Sequence, residues 1–153
     1  MKTIYRGKEI NIDSEDLPLL MNYKWHFSTR GYLTRRINSE MVALHRVLIN
    51  ANRDKFVDHI DGDILNLSKS NLRVCTHAQN CYNRNSGPFS SSKYKGVTKR
   101  IRKDKKSIFW EVQIRVNNKL IYLGSYGDEL EAAKVYDEAA DKYFGKFAKV
   151  NIQ

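Results

Sequence analysis

At positions 84–92 the chain reads RNSGPFSSS, a run of turn and linker residues that neither a helix interior nor a sheet strand carries well. It breaks the 153 residues into an expected domain at 1–86, a linker at 87–92 and a second domain at 93–153. Domains of that size have small cores, and nine Tyr, six Phe and two Trp supply large surfaces to fill them. With 41% hydrophobic and 29% charged residues, the chain is expected to fold rather than stay disordered. No apolar run is long enough to span a bilayer. Lys2, Arg6, Lys8, Glu9, Asp13, Glu15 and Asp16 leave no room for the apolar segment of a signal peptide. Cys75 and Cys81, without export signals, read as thiols in a reducing compartment. The expectation is an intracellular protein that does not engage a membrane.

Lysine and arginine number 27 against 17 acidic residues, a formal charge of +10. That excess, with no basic amphipathic helix, points to nucleic acid before a membrane surface. Within the second domain the charge is uneven. Residues 93–119 carry ten basic groups against Asp104 and Glu111, whereas residues 128–142 carry Lys134 and Lys142 against six acids. The basic stretch 100–106 is a loop whose order could depend on DNA.

The second domain reads as an antiparallel three-stranded sheet packed on one helix. Trp110, Val112, Ile114 and Val116 alternate with Glu111, Gln113 and Arg115, and Asn117-Asn118 is a two-residue loop that tolerates positive φ. A strand is therefore expected at 108–116, a second at 119–125, and a short one at 96–101. Asp128 with Glu131 caps a helix in which Leu130, Ala133, Tyr136, Ala140 and Tyr143 recur at helical spacing, ending at Gly145. If Val112 and Ile114 face the helix, the opposite face presents Glu111, Gln113, Arg115, Tyr122, Thr98, Arg100 and Arg102. A polar, basic sheet face of this kind can enter the major groove, where Arg and Gln pair with guanine and adenine edges.

Five blocks in order carry a resemblance: YKGVTKR at 94–100, FWEVQIR at 109–115, IYLGSY at 121–126, EAAKVYDEAADKYFG at 131–145 and KVN at 149–151. They resemble the plant ethylene-response-factor (Apetala-type) DNA-binding domain over about residues 92–152. The resemblance implies a duplex reader that uses its sheet, with Lys95, Arg100 and Arg115 contacting DNA. Gln113 and Tyr122 stand where that family has Glu and Trp, and Thr98 and Leu120 where it often has Arg, so the preferred DNA sequence should differ. Together with the face argument, the candidate DNA contacts are Lys95, Thr98, Arg100, Arg102, Gln113, Arg115, Lys119 and Tyr122.

The first domain carries the residues suited to chemistry. A strand is expected at 56–60, a turn at Asp61-Gly62, a second strand at 72–75, and a helix from the Thr76/Gln79 capping box to about Arg84. This order brings Asp58-His59 beside a helix face holding His77, Asn80 and Arg84. The Asp58 carboxylate and Asn80 amide oxygen are hard donors suited to one Mg²⁺ or Mn²⁺. His59 suits a general base for an attacking water. Asn71 is better placed to hold the ring or backbone of His59, and Arg84 or Arg73 to clamp a phosphate oxygen. His45 lies in an apolar segment and reads as packed or phosphate-touching; Asp61, Gly62 and Asp63 read as turn residues.

DHIDGD at 58–63, NLSKSNLR at 66–73 and THAQNCYNR at 76–84 resemble the HNH (ββα-metal) nuclease motif of phage and intron-encoded homing endonucleases. YKWHFSTRGYLTRR and ALHRVLINA resemble the N-terminal part of the same proteins. The resemblance implies a ββα-metal core at about 55–85, with His59 as base, Asp58 and Asn80 as metal ligands, and Asn71 orienting His59. The expected fold class is α+β, an N-terminal ββα-metal nuclease followed by the small three-stranded sheet on one helix. The expected function is a site-selective, metal-dependent endonuclease acting on double-stranded DNA, one ion per site, with no small-molecule cofactor. With one site per chain it should nick as a monomer, without needing an oligomer. The other reading is a catalytically silent, sequence-specific DNA-binding regulator.

Overall fold

A computed structural model describes residues 1–87, 89–102 and 106–152; Pro88 of the expected linker and residues 103–105 of the basic loop lie outside the described residues. The chain forms two compact units, 1–80 and 81–153. Both are mixtures of small antiparallel sheets and a few helices. The division falls inside a short helix, ahead of the 87–92 segment.

In the first unit, β1 (Lys2–Tyr5) and β2 (Lys8–Asn11) pair as a hairpin. Arg6 and Gly7 turn it at φ of 49° and 79°. Helix α1 (Leu17–Met21) starts with Pro18 in its first turn, where a missing N–H is harmless. Strands β3 (His26–Phe27), β4 (Leu33–Ile37) and β5 (Glu40–Ala43) form a sheet in that order, and α2 (Leu44–Leu48) follows directly. Then come β6 (Phe56–His59), β7 (Leu72–Cys75) and α3 (His77–Tyr82). The expected capping box is formed: Gln79 N–H donates to Thr76 Oγ1 at 3.2 Å, and Thr76 N–H to Gln79 Oε1 at 2.8 Å. The helix stops two residues short of the expected Arg84.

Ile10, Ile12, Leu20, Trp25, Leu33, Leu44, Leu48, Leu67 and Leu72 make one core. The N-terminal elements and the β6–β7 hairpin therefore share it. The long β6–β7 loop is stitched back to the N-terminal segment: Leu67 N–H donates to Asn11 O at 2.7 Å, and the Asp13 carboxylate accepts from Ser68 Oγ and Lys69 N–H. Residues 1–50 thus complete the unit that holds Asp58 and His59.

The second unit contains β8 (Val97–Ile101), β9 (Ile108–Val116) and β10 (Lys119–Tyr126), antiparallel in the order β10-β9-β8. Asn117 and Asn118 take positive φ at the β9–β10 turn, as their side chains permit. Helix α4 (Glu129–Phe144) packs on the sheet, capped by Asp128, whose carboxylate accepts from Glu131 N–H at 2.8 Å. Val97, Val112, Ile114, Ala132, Ala133, Tyr136, Ala140 and Phe144 form its core. Two expected core positions are corrected here. Leu130 and Tyr143 point outward, 44% and 43% exposed, and Ala132 and Phe144 are buried instead. Small alanines let the helix approach the sheet closely, and Phe144 stacks on Tyr82 with ring centroids 3.8 Å apart.

Candidate active site and nucleic-acid interface

Asp58 and His59 end β6, both 5% exposed. The register sets Asp58 opposite Arg73 and His59 opposite Leu72. Cross-strand neighbours of opposite charge pair readily, and Arg73 donates to Asp58 Oδ2 from Nε at 2.8 Å and Nη2 at 2.6 Å. Sequence reasoning placed Arg73 only as an alternative phosphate clamp. Its attachment to Asp58 depends on a register set across an irregular loop.

Asn71 fastens that loop. Its Oδ1 accepts from Asp61 N–H at 3.1 Å, and its Nδ2 donates to Asp61 Oδ1 at 2.9 Å and to Asn66 O at 3.0 Å. The Asp61 carboxylate also accepts from Asp63 N–H and Asn66 Nδ2. The Asn71 carbonyl accepts from Ile60 N–H at 2.9 Å, so Asn71 holds the backbone next to His59 while its side chain organises the turn.

The His59 ring packs edge-on to His45 at 5.1 Å between centroids, with Tyr32 at 6.1 Å from His59 and 5.1 Å from His45. Neither His45, on α2, nor Tyr32, just before β4, was assigned to this site from sequence. The apolar ALHRVLIN run suggested a packed histidine without saying against what. Burial lowers the His59 pKa, opposed by the charges of Asp61, Asp58 and Asp63. His45 is pushed down to about 3, first by burial and then by His59 and Arg46. Both imidazoles are neutral at physiological pH, the proton-accepting form. Asn80 lies half-buried on α3, its N–H donating to Thr76 O. Arg84 is exposed and belongs to the second unit.

The sign of the His45 effect on stability follows from linkage. An unfolded histidine titrates near 6.5, so below that pH the unfolded chain binds more protons than the folded one. Stability is therefore fully present above about 6.5 and lost as pH falls toward 3. Lowering pH from 7.5 to 5 should cost about 2 kcal/mol and appear as a falling Tm by circular dichroism. His45→Gln should flatten most of that slope; a wild-type Tm independent of pH over this range would contradict the assignment.

In the second unit, alternation puts Thr98 and Arg100 of β8, Glu111, Gln113 and Arg115 of β9, and Tyr122 of β10 on the sheet face away from α4. The register pairs Thr98 with Glu111, Gln113 with Tyr122 and Arg115 with Leu120. The face is cross-bonded: Arg100 reaches Glu111 at 3.2 Å, Gln113 donates to Glu111, and Tyr122 and Ser125 share a hydrogen bond at 2.7 Å. Arg102 lies just past β8, its guanidinium 5.9 Å from the Phe109 ring centroid. Two expected contacts stand apart from this group. Lys119 pairs with Val116, the opposite parity to Arg115 and Tyr122. Lys95 turns inward, its Nζ donating to Tyr82 O, and burial lowers its pKa to about 8. Asn151 fixes its backbone, accepting from Lys95 N–H at 2.6 Å and donating to Lys95 O at 3.2 Å.

Among the described residues no helix is long and apolar enough to cross a membrane, and no three His, Cys, Asp or Glu side chains converge to hold a metal. Residues 42–82, spanning β5 through α3, match the family profile described as HNH endonuclease. The chain is 32% identical over 152 residues to an uncharacterized HNH endonuclease of Acanthamoeba polyphaga mimivirus, covering 95% of this chain and 76% of that one. The buried aspartate–histidine pair thus lies inside the matched segment, and the chain belongs to the HNH endonuclease family.

Proposed function

We propose that this chain is a metal-dependent endonuclease that cuts duplex DNA, with His59 as the general base and Asp58 and Asn80 holding one divalent ion. The observation that carries the reading is the Asp58–His59 pair, buried at the end of β6 and anchored by the turn that Asn71 fastens. A carboxylate and an amide oxygen are hard donors, which fits Mg²⁺ or Mn²⁺; such ions keep several waters and do not need an all-protein cage. When bound, the ion would stabilise charge on the phosphate and on the departing 3′ oxygen. Neutral His59 takes the proton of the attacking water. Arg84 or Arg73 is assigned to clamp a phosphate oxygen; Arg73 Nε and Nη2 would first have to leave Asp58 Oδ2, to which both donate.

Residues 1–86 are assigned to cleavage in a ββα-metal fold, and residues 93–153 to DNA binding in the ethylene-response-factor manner. The sheet-on-helix arrangement and the outward Arg100, Gln113, Arg115 and Tyr122 support the second assignment. Basic contacts supply affinity and base-edge contacts supply selectivity, which a small nuclease core lacks by itself. The biological reading is a homing-type enzyme of a phage or other mobile element, working inside the cell and nicking as a monomer. One observation favours the alternative, a silent DNA-binding regulator: Asp58 Oδ2 already accepts from Arg73 Nε and Nη2.

Cleavage of supercoiled plasmid by the purified chain separates the two. The expected result is open-circle product with Mg²⁺ and none with EDTA. Linear product appearing without an open-circle stage would contradict monomeric nicking. Intact plasmid across a panel of duplexes that the protein binds would favour the regulator.

A further inference from the structure

A carboxylate stands in the middle of the face assigned to duplex DNA. Glu111 lies on the central strand, opposite Thr98 of β8 on one side and Ser125 of β10 on the other. Both neighbours carry small hydroxyl side chains, so the carboxylate is flanked by low ground. Its Oε1 accepts from Arg100 Nη2 at 3.2 Å and from Gln113 Nε2. The Glu111 side chain is 20% exposed and that of Arg100 50%.

A negative charge facing a polyanion weakens every encounter with it, whatever the sequence. An ion pair this exposed contributes little to folding stability. Neither affinity nor stability accounts for a carboxylate here. What Glu111 does is restrain the two side chains bonded to it. Arg100 left alone would find the nearest phosphate, and a phosphate contact carries no sequence information. Held by Glu111, Arg100 is screened from indiscriminate phosphate pairing, and Gln113 is fixed in rotation. Arg100 then keeps N–H donors for a guanine edge, and Gln113 keeps a second N–H donor and its Oε1 acceptor for an adenine edge, the sets that bidentate pairing requires.

We propose that Glu111 is a positioning residue that trades affinity for selectivity, holding Arg100 and Gln113 for base edges and withholding Arg100 from the phosphate backbone. The inference rests on the duplex-binding reading of the second unit. It predicts an unusual variant: Glu111→Ala should bind DNA more tightly and choose it less well.

The test uses the full chain in EDTA, so that cleavage does not intervene, with a fluorescent random-sequence duplex of about 30 base pairs in a salt series. Glu111→Ala is expected to bind this probe about three- to tenfold more tightly at ~0.15 M salt, with the log–log salt slope steeper by about 0.9, one added phosphate contact. Selection from a randomised duplex pool should show preference for the enriched sequence over random DNA falling about fivefold or more. Glu111→Gln removes the charge but keeps an acceptor oxygen, so it should steepen the slope while retaining more of the selectivity. An unchanged slope and unchanged selectivity in Glu111→Ala would overturn the proposal, as would weaker binding to random duplex. If Glu111→Ala melts early by circular dichroism, Glu111→Gln carries the test. Failure of the wild-type chain to bind any duplex would instead sink the reading of the second unit, and the proposal with it.

Discussion

His59→Ala is expected to slow plasmid nicking by on the order of 10²–10⁴-fold, the range a positioned general base supplies, while duplex affinity changes by less than about twofold. The asymmetry comes from position. His59 is 5% exposed at the end of β6, packed against His45 and Tyr32, and has no place on the basic sheet face of the second unit. Its environment keeps it neutral, because burial outweighs the three nearby aspartates, so at neutral pH the imidazole is ready to accept a proton. The truncation also leaves a gap beside His45, and a Tm measurement must accompany the kinetics. His59→Gln, closer in volume, should lose as much activity with less change in Tm. Cleavage and affinity falling together would show that the two units do not divide the work as assigned. Full activity in both variants would remove His59 from the chemistry.

How far the sequence disclosed this arrangement differs between the units for physical reasons. The second unit announces itself because β9 is nine residues long and alternates from Trp110 to Val116, its turn is Asn-Asn, and α4 is capped by Asp128 with Gly145 at its end. Periods of two and 3.6 need such lengths to be visible. In the first unit the helices and strands before β6 are two to five residues long, too short for any period to emerge. Asp58, His59 and Asn71 stand out in the sequence as candidates for chemistry by residue type and spacing alone. What surrounds them does not. Arg73 meets Asp58 only through the β6–β7 register, and the intervening loop, after the expected turn closed by Gly62 N–H on His59 O, is shaped by side-chain bonds of Asn71, Asp61 and Asn66. His45 meets His59 through packing within the N-terminal unit, which no local pattern encodes. The same limit explains Lys95: a basic residue beside a basic face looks like a contact until tertiary structure turns its amine onto the Tyr82 carbonyl.

Gly96→Ala should be the most damaging small substitution in the second unit. Gly96 has φ of +76°, a conformation that costs an L residue on its own, and an added Cβ would lie 2.0 Å from Tyr136 Cδ2, 2.1 Å from Cε2 and 2.8 Å from the Gln113 carbonyl. The ring cannot simply swing away. Tyr136 is 3% exposed inside the α4–sheet core, and the Gly96 carbonyl accepts from Gln113 N–H at 2.9 Å, tying the loop to β9. Backbone strain and overpacking together should cost about 2–5 kcal/mol, a large share of a small domain's stability. Gly7→Ala is the informative comparison, since Gly7 has φ of +79° but nothing within 4 Å of the added Cβ. That variant should lose only about 1 kcal/mol. Hydrogen exchange resolves where the damage falls: in Gly96→Ala, protection should drop across β8, β9 and α4 and remain across β6 and β7. Equal losses in the two glycine variants would mean that φ alone matters and that the close approach of Gly96 to Tyr136 is not what holds the sheet on its helix. The functional consequence follows the same geometry. Gln113 belongs both to the clamp on Gly96, through its backbone, and to the outward face, through its side chain. Loosening the first should weaken duplex binding in proportion to the population of the second unit that is unfolded.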